Sequence, residues 1–149
     1  MWTDSRSLRL SRICTIIFMV LLVGCLISAP WLIDRLISMS PPAQKAGRTL
    51  FFITIYVGSI PAATLLAFLY ALLHQIGTGH VFINKNVAYL RYISWCCFIG
   101  ATLCLASTIY YIPWLALGIA AAFIGLVIRV VKNVVAEAVA LQDESDLTI

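Results

Sequence analysis

Four stretches of the chain each run about the width of a bilayer with almost no charge, and charged residues, proline or glycine stand between them. They cover residues 13–33, 50–73, 92–111 and 114–131, the last interrupted only by Arg129 near its end. A hydrocarbon core about 30 Å thick needs roughly 20 apolar residues in helical form, so the pattern predicts four membrane-crossing helices. Arg12 precedes the first, Asp34 and Arg35 follow it, Arg48 precedes the second, His74 and Gly77 follow that, and Arg91 precedes the third. Little more than Ile112 and Pro113 separates the last two spans. Proline cannot donate the backbone hydrogen bond of a continuous helix, and one helix of about 40 residues overshoots any bilayer. The pair therefore reads as a tight hairpin, with Tyr110, Tyr111 and Trp114 at the headgroup layer that amphipathic rings favour.

Beyond residue 131 the pattern becomes amphipathic, with Val134, Val135, Ala138, Val139 and Leu141 near one side and Lys132, Glu137, Gln142 and Asp143 elsewhere. The fourth span is expected to continue as a cytoplasmic helix that frays toward residue 149. The predicted fold is thus all-α and integral to the membrane: one domain over residues 1–149, four transmembrane helices in an up-down bundle, and a cytoplasmic amphipathic and acidic tail over residues 132–149.

Composition supports this and narrows the function. Of 149 residues 62% are hydrophobic and 11% charged, with mean hydropathy +1.02. A soluble domain carries roughly 25% charged residues, so a large soluble catalytic domain is excluded. Basic residues at span ends set orientation, because short loops rich in Lys and Arg stay cytoplasmic. Arg6, Arg9, Arg12, Lys85, Arg91, Arg129 and Lys132 fall on one predicted side, and Arg35, Lys45 and Arg48 on the other. Seven against three places both termini in the cytoplasm. Leu22-Val23-Gly24-Cys25 resembles a lipoprotein cleavage box. The residues after Cys25 stay apolar, however, whereas a processed lipoprotein continues into a polar linker, and the reading preferred is a retained first helix.

The chain offers little to chemistry. Cys14, Cys25, Cys96, Cys97 and Cys104 all fall within spans and read as small apolar core residues. The adjacent Cys96 and Cys97 point roughly 100° apart on a helix and do not share a tetrahedral metal. No span has an ionisable residue at its centre, where ion pathways and proton relays place them. His74 and His80, separated by Gly77 and Gly79, read as interfacial. No nucleophile, base and orienting group share a usable spacing, and Gly77-Thr78-Gly79 is too short for a phosphate-cradling loop. The expectation is no enzyme, no cofactor, no metal and no direct nucleic-acid binding.

What remains is packing and surface. Pro61 predicts a kink in the second span, freeing a carbonyl about one turn earlier. Gly118, Ala122 and Gly125 give the fourth span a small-residue face on which another helix approaches closely, whether from this chain or from a second copy. In the loop from Gly77 to Arg91, Phe82, Asn86 and Leu90 fall at i, i+4, i+8 along one stripe, and Asn84 or Asn86 suits the cap of the third span. This segment reads either as an interfacial lead-in helix or as a partner-binding surface. Glu137, Asp143, Glu144 and Asp146 give residues 133–149 a charge of −4, leaving +8 on the rest. Such an acidic end is repelled by anionic lipid and is free to meet a cytoplasmic partner or the basic loop.

The pattern Gly79-x-x-Phe82-x-x-x-Asn86-Val87-x-x-Leu90-Arg91-x-Ile93, followed by two helices and the ending Glu137-Ala138-Val139-x-Leu141-x-x-Glu144-x-Asp146-Leu147-Thr148-Ile149, resembles the bacterial domain of unknown function 2975 family. Its members are four-span membrane proteins without an established activity, often encoded beside a small helix-turn-helix regulator. The resemblance implies a bacterial inner-membrane protein that binds or tethers such a regulator, and it supplies no catalytic residues. The candidate partner-binding residues are Gly79, Phe82, Asn86, Leu90, Arg91, Asp146, Leu147 and Ile149, beside the bilayer itself as partner. The alternative from another class is a bilayer-embedded transport or immunity component acting as a homo-oligomer.

Overall fold

The computed structural model describes residues 2–147. Five helices follow in order: α1 (Trp2–Met39), α2 (Pro41–Ala46), α3 (Arg48–Gly77), α4 (Asn84–Ser107) and α5 (Trp114–Leu147). All but α2 are long and apolar enough to cross a membrane, which makes the chain a multi-pass membrane protein. Its surface agrees: Val20, Ile27, Ile60, Phe123 and many other large apolar side chains point outward. Thr15, Thr54, Asn86, Ser94 and Ser107 are buried instead. In lipid the hydrophobic effect does not drive helices together, and small or hydroxyl side chains inside, with apolar ones outside, are how a bundle holds.

Neighbouring long helices run antiparallel. Asp34 at the end of α1 pairs with Arg48 at the start of α3 (2.9 Å), while a Cβ added at Gly77, the last residue of α3, would meet Leu8 and Arg12 of α1. Phe51 of α3 meets Tyr110 and Tyr111, just past α4, edge-on at 5.1 and 5.4 Å. At the opposite end Phe68 stacks on Tyr92 of α4 at 5.0 Å. The main contacts join α1 to α3, α3 to α4 and α4 to α5, an up-and-down order.

Two apolar clusters close the ends. Ala29, Ile33, Ala43 and Phe51, flanked by Tyr110, Tyr111 and Trp114, form one. The other gathers Leu72, Leu90 and Ile93 with Phe68, Ile76 and Val135. The short helix α2, which the apolar pattern does not reveal, covers the first cluster through the fully buried Ala43. It starts with proline in its first turn, where the missing N–H costs nothing. Gly47 then carries φ +83° between α2 and α3, a conformation glycine adopts freely.

The helices extend past the apolar windows. At about 1.5 Å per residue, α1 and α5 measure roughly 57 and 51 Å, against about 36 Å for α4. The surplus lies in the basic start of α1 and in the continuation of α5 beyond Arg129. The third span begins at Asn84 and stops at Ser107, so Tyr110 and Tyr111 belong to the turn before Trp114. The cysteines depart from the core reading: Cys97 is buried, Cys96 and Cys104 are half-buried, and Cys14 and Cys25 are exposed on α1.

Pro30 and Pro61 both lie inside helices that run on through them. Pro30 has no N–H for the Leu26 carbonyl one turn earlier. The Tyr56 hydroxyl of α3 donates to that carbonyl at 3.1 Å, so a backbone group orphaned within α1 is satisfied by its neighbour.

Candidate functional site

One end of the bundle gathers the start of α1, the connection 78–83, the start of α4 and the extension of α5. The connection is short and internally bonded. Thr78 caps α3, its backbone N–H reaching the His74 and Gln75 carbonyls and its hydroxyl donating to the Gln75 carbonyl at 2.8 Å. Gly79 turns the chain with φ +87°, and the His80 ring lies 3.1 Å from the Thr78 hydroxyl.

Asn86 holds this turn. It is 1% exposed, and its side-chain amide donates to the carbonyls of His80 and Val81, both at 2.8 Å. The helix-capping role expected of Asn84 or Asn86 is not what forms: Ile83 occupies the N-cap position without a side-chain bond, and Asn86 serves carbonyls behind it. Nor do Phe82, Asn86 and Leu90 form one helical stripe. Phe82 precedes α4 and is exposed, whereas Asn86 and Leu90 are buried, because a carboxamide with two carbonyl partners and a leucine against Leu72 both belong inside.

The extension of α5 is rooted on this end. Val135 packs on the cluster of Leu72, Leu90 and Ile93, and Val139, one turn on, is 4% exposed. From Leu141 to Leu147 every residue is exposed, Leu147 at 87%. Asp146 and Leu147 therefore stand clear of the bundle, while Ile149 lies outside the described residues. Arg91 is exposed but turned toward α5, where it lines a small polar recess with Ser94, Trp95, Arg129 and Lys132.

The small-residue face of α5 is taken up within the chain. A Cβ added at Gly118 would sit 2.9 Å from Leu105 side-chain atoms, and one at Gly125 would sit 3.1 Å from Cys97 and Phe98. Both glycines are buried, and Ala122 between them is half-buried. The buried Ser94 hydroxyl donates to the Gly125 carbonyl at 3.1 Å, locking the register of α4 on α5.

Two further features escape the sequence reading. Tyr110, Thr54 and Ser107 form a hydroxyl chain between α3 and α4, with Thr54 bonded to Tyr110 and to Ser107 at 3.0 Å. Ser107 in turn donates to the Leu103 carbonyl at 2.9 Å. The Tyr110 hydroxyl also donates to the Leu50 carbonyl at 3.4 Å. Beside it an apolar cavity of about 350 Å³ opens among all four long helices, lined by Leu26, Gly58, Ala62, Leu103 and Leu117 with Thr54 and Ser59 as polar members. No charged side chain lines it. Among the described residues no group of three or more His, Cys, Asp or Glu side chains converges as a metal site.

A family model described as "Protein of unknown function (DUF2975)" matches residues 2–149. No curated protein and no solved structure matches the chain.

Proposed function

The chain belongs to the DUF2975 family of proteins of unknown function, and from that premise we propose that it is a non-enzymatic membrane protein whose acidic helix end docks a soluble cytoplasmic partner, such as a small helix-turn-helix regulator. One observation carries the reading: α5 continues without a break from its apolar part to Leu147, anchored by Val135 and Val139 and then exposed from Leu141 to Leu147. A rigid acidic rod with an apolar tip complements a basic DNA-binding protein in sign, and complementary charge speeds encounter and sets specificity. Phe82 adds an exposed apolar group at the same end. Asn86 and Leu90 support the surface from beneath, and Gly79 turns the chain at its edge.

The seven basic residues gathered at this end favour its cytoplasmic placement, with both termini inside and the membrane that of a bacterial cell. The oligomeric transport or immunity reading is less favoured, because the Gly118 and Gly125 face it requires is already filled by α4 of the same chain.

The test is affinity purification of the intact chain in mild detergent beside a chain ending at Gln142. The proposal expects a basic DNA-binding protein retained by the intact chain alone. An identical set of bound proteins on both would refute it.

A further inference from the structure

A second feature at the same end owes nothing to the docking reading. Arg91, Arg129 and Lys132 line one recess of about 60 Å³ between α4 and α5, together with Ser94 and Trp95. The space is on the order of four waters, which suits one small oxyanion group. Arg129 and Lys132 are i, i+3 on α5, and Arg91, Ser94 and Trp95 are i, i+3, i+4 on α4, so each helix turns one face to the recess.

The convergence is built in. Ser94 donates to the Gly125 carbonyl, which lies one helical turn before Arg129. A Cβ added at Gly125 would sit 3.1 Å from Cys97 and Phe98, tight enough that they would have to shift. That register brings Arg91 level with Lys132, although the two are far apart in sequence. Three like charges repel, and among the described residues no carboxylate is ion-paired to any of them; the ion pair that does form, Arg48 with Asp34, is at the far end. Three cations around one small recess, with no carboxylate in its lining, favour an anionic ligand, and Trp95 beside them is exposed, a residue type that favours the membrane surface.

We propose that this recess binds a phosphate group, supplied by the headgroup of an anionic phospholipid or by a soluble phosphate. Guanidinium groups match phosphate oxygens by paired N–H donors, and Lys132 adds a point charge. Basic recesses between membrane helices on the cytoplasmic side take anionic headgroups by this chemistry.

The experiment uses the full chain in neutral detergent and measures binding of a fluorescent phosphatidylglycerol, a fluorescent phosphatidylcholine, and inorganic phosphate. The variants are Arg91→Gln, Arg129→Gln, Arg129→Lys and Lys85→Gln, the last removing a charge at the same end but outside the recess. The proposal expects each Arg→Gln change to weaken phosphate-group binding about five-fold, as one basic residue near a membrane surface contributes. Arg129→Lys keeps most of the binding and Lys85→Gln changes it little, with unaltered gel-filtration profiles throughout. Arginine-dependent preference for phosphatidylglycerol over phosphatidylcholine identifies a lipid as the source. Arginine-dependent binding of inorganic phosphate, with the two lipids bound alike, identifies a soluble phosphate. Binding that ignores both arginines, or that Lys85→Gln weakens equally, overturns the site in favour of diffuse charge.

Discussion

The same substitution, glycine to alanine, is expected to have opposite consequences at Gly118 and Gly24. At Gly118 the new methyl would meet Leu105 Cγ and Cδ2 at 2.9 Å and the Leu105 backbone nitrogen at 3.2 Å. Carbon atoms rest at about 3.5–4.0 Å, so α5 must back away from α4 by roughly 0.6–1 Å. The backbone nitrogen prevents relief by a leucine rotamer alone. A gap of that size forfeits about a quarter to a half of each dispersion contact along the seam, and overpacking of this kind costs about 1–3 kcal/mol. At Gly24 nothing lies within 4 Å, so alanine brings only its helix-propensity gain of about 1 kcal/mol. That gain is common to both positions and cancels between them. The Gly118→Ala protein should therefore unfold about 1–3 kcal/mol more easily than Gly24→Ala. Titration of mild-detergent micelles with a denaturing detergent, followed by far-ultraviolet circular dichroism, reads the difference. Equal stability, or Gly118→Ala the more stable, would refute the close-approach account of this seam.

Three other perturbations test separate contacts. Tyr56→Phe strips the Leu26 carbonyl of its partner and should cost about 0.6–1.7 kcal/mol, the range for hydrogen bonds between membrane helices; in a Pro30→Ala background, where the substituted alanine supplies an N–H, a double-mutant cycle by the same titration should show that cost vanish. Thr54→Val removes the bonds from Thr54 to both Ser107 and Tyr110 and should cost about 1 kcal/mol by the same titration; an unchanged stability would contradict the chain. Asn86→Ala frees the His80 and Val81 carbonyls and should speed proteolysis and hydrogen exchange within 78–83 while leaving exchange in mid-α4 unchanged.

How far the sequence reaches depends on what each signal measures. Hydropathy located all four spans because a long uncharged apolar run is tolerated in few places besides a bilayer. It does not mark the helix ends, because it senses lipid and not helix: Asn84, Lys85 and Asn86 are poor in a bilayer yet sit comfortably in the first turn of α4. Helix α2 hid behind Pro41 and Pro42, which look like breakers but start a helix well. The packing glycines were legible because small residues at helical spacing permit close approach, although their partner was not. Arg129 and Lys132 were visible only as charges near the end of the fourth span, and Arg91 as a span boundary and a candidate partner contact. They became a recess once Ser94 and Gly125 fixed the register of α4 on α5, and no local pattern encodes a contact between residues so far apart. The bond from Tyr56 to Leu26 is similar, since Pro30 announces the orphaned carbonyl but nothing nearby names the donor.

The contact order along the chain has a consequence for biogenesis. Each long helix makes its main contacts with the long helix made just before it: α3 with α1, α4 with α3, α5 with α4. A ribosome delivering the protein from its N-terminus never leaves a finished helix waiting for a distant partner, and domains made this way assemble in step with translation. Contacts so local in sequence also favour rapid folding. The hydroxyl and carbonyl groups that bridge helices obey the same schedule, because Tyr56 reaches Leu26 as soon as α3 enters, and Ser94 waits only for α5. Separate genes encoding residues 1–80 and 81–149 should on this logic yield two stable hairpins that reunite in one membrane.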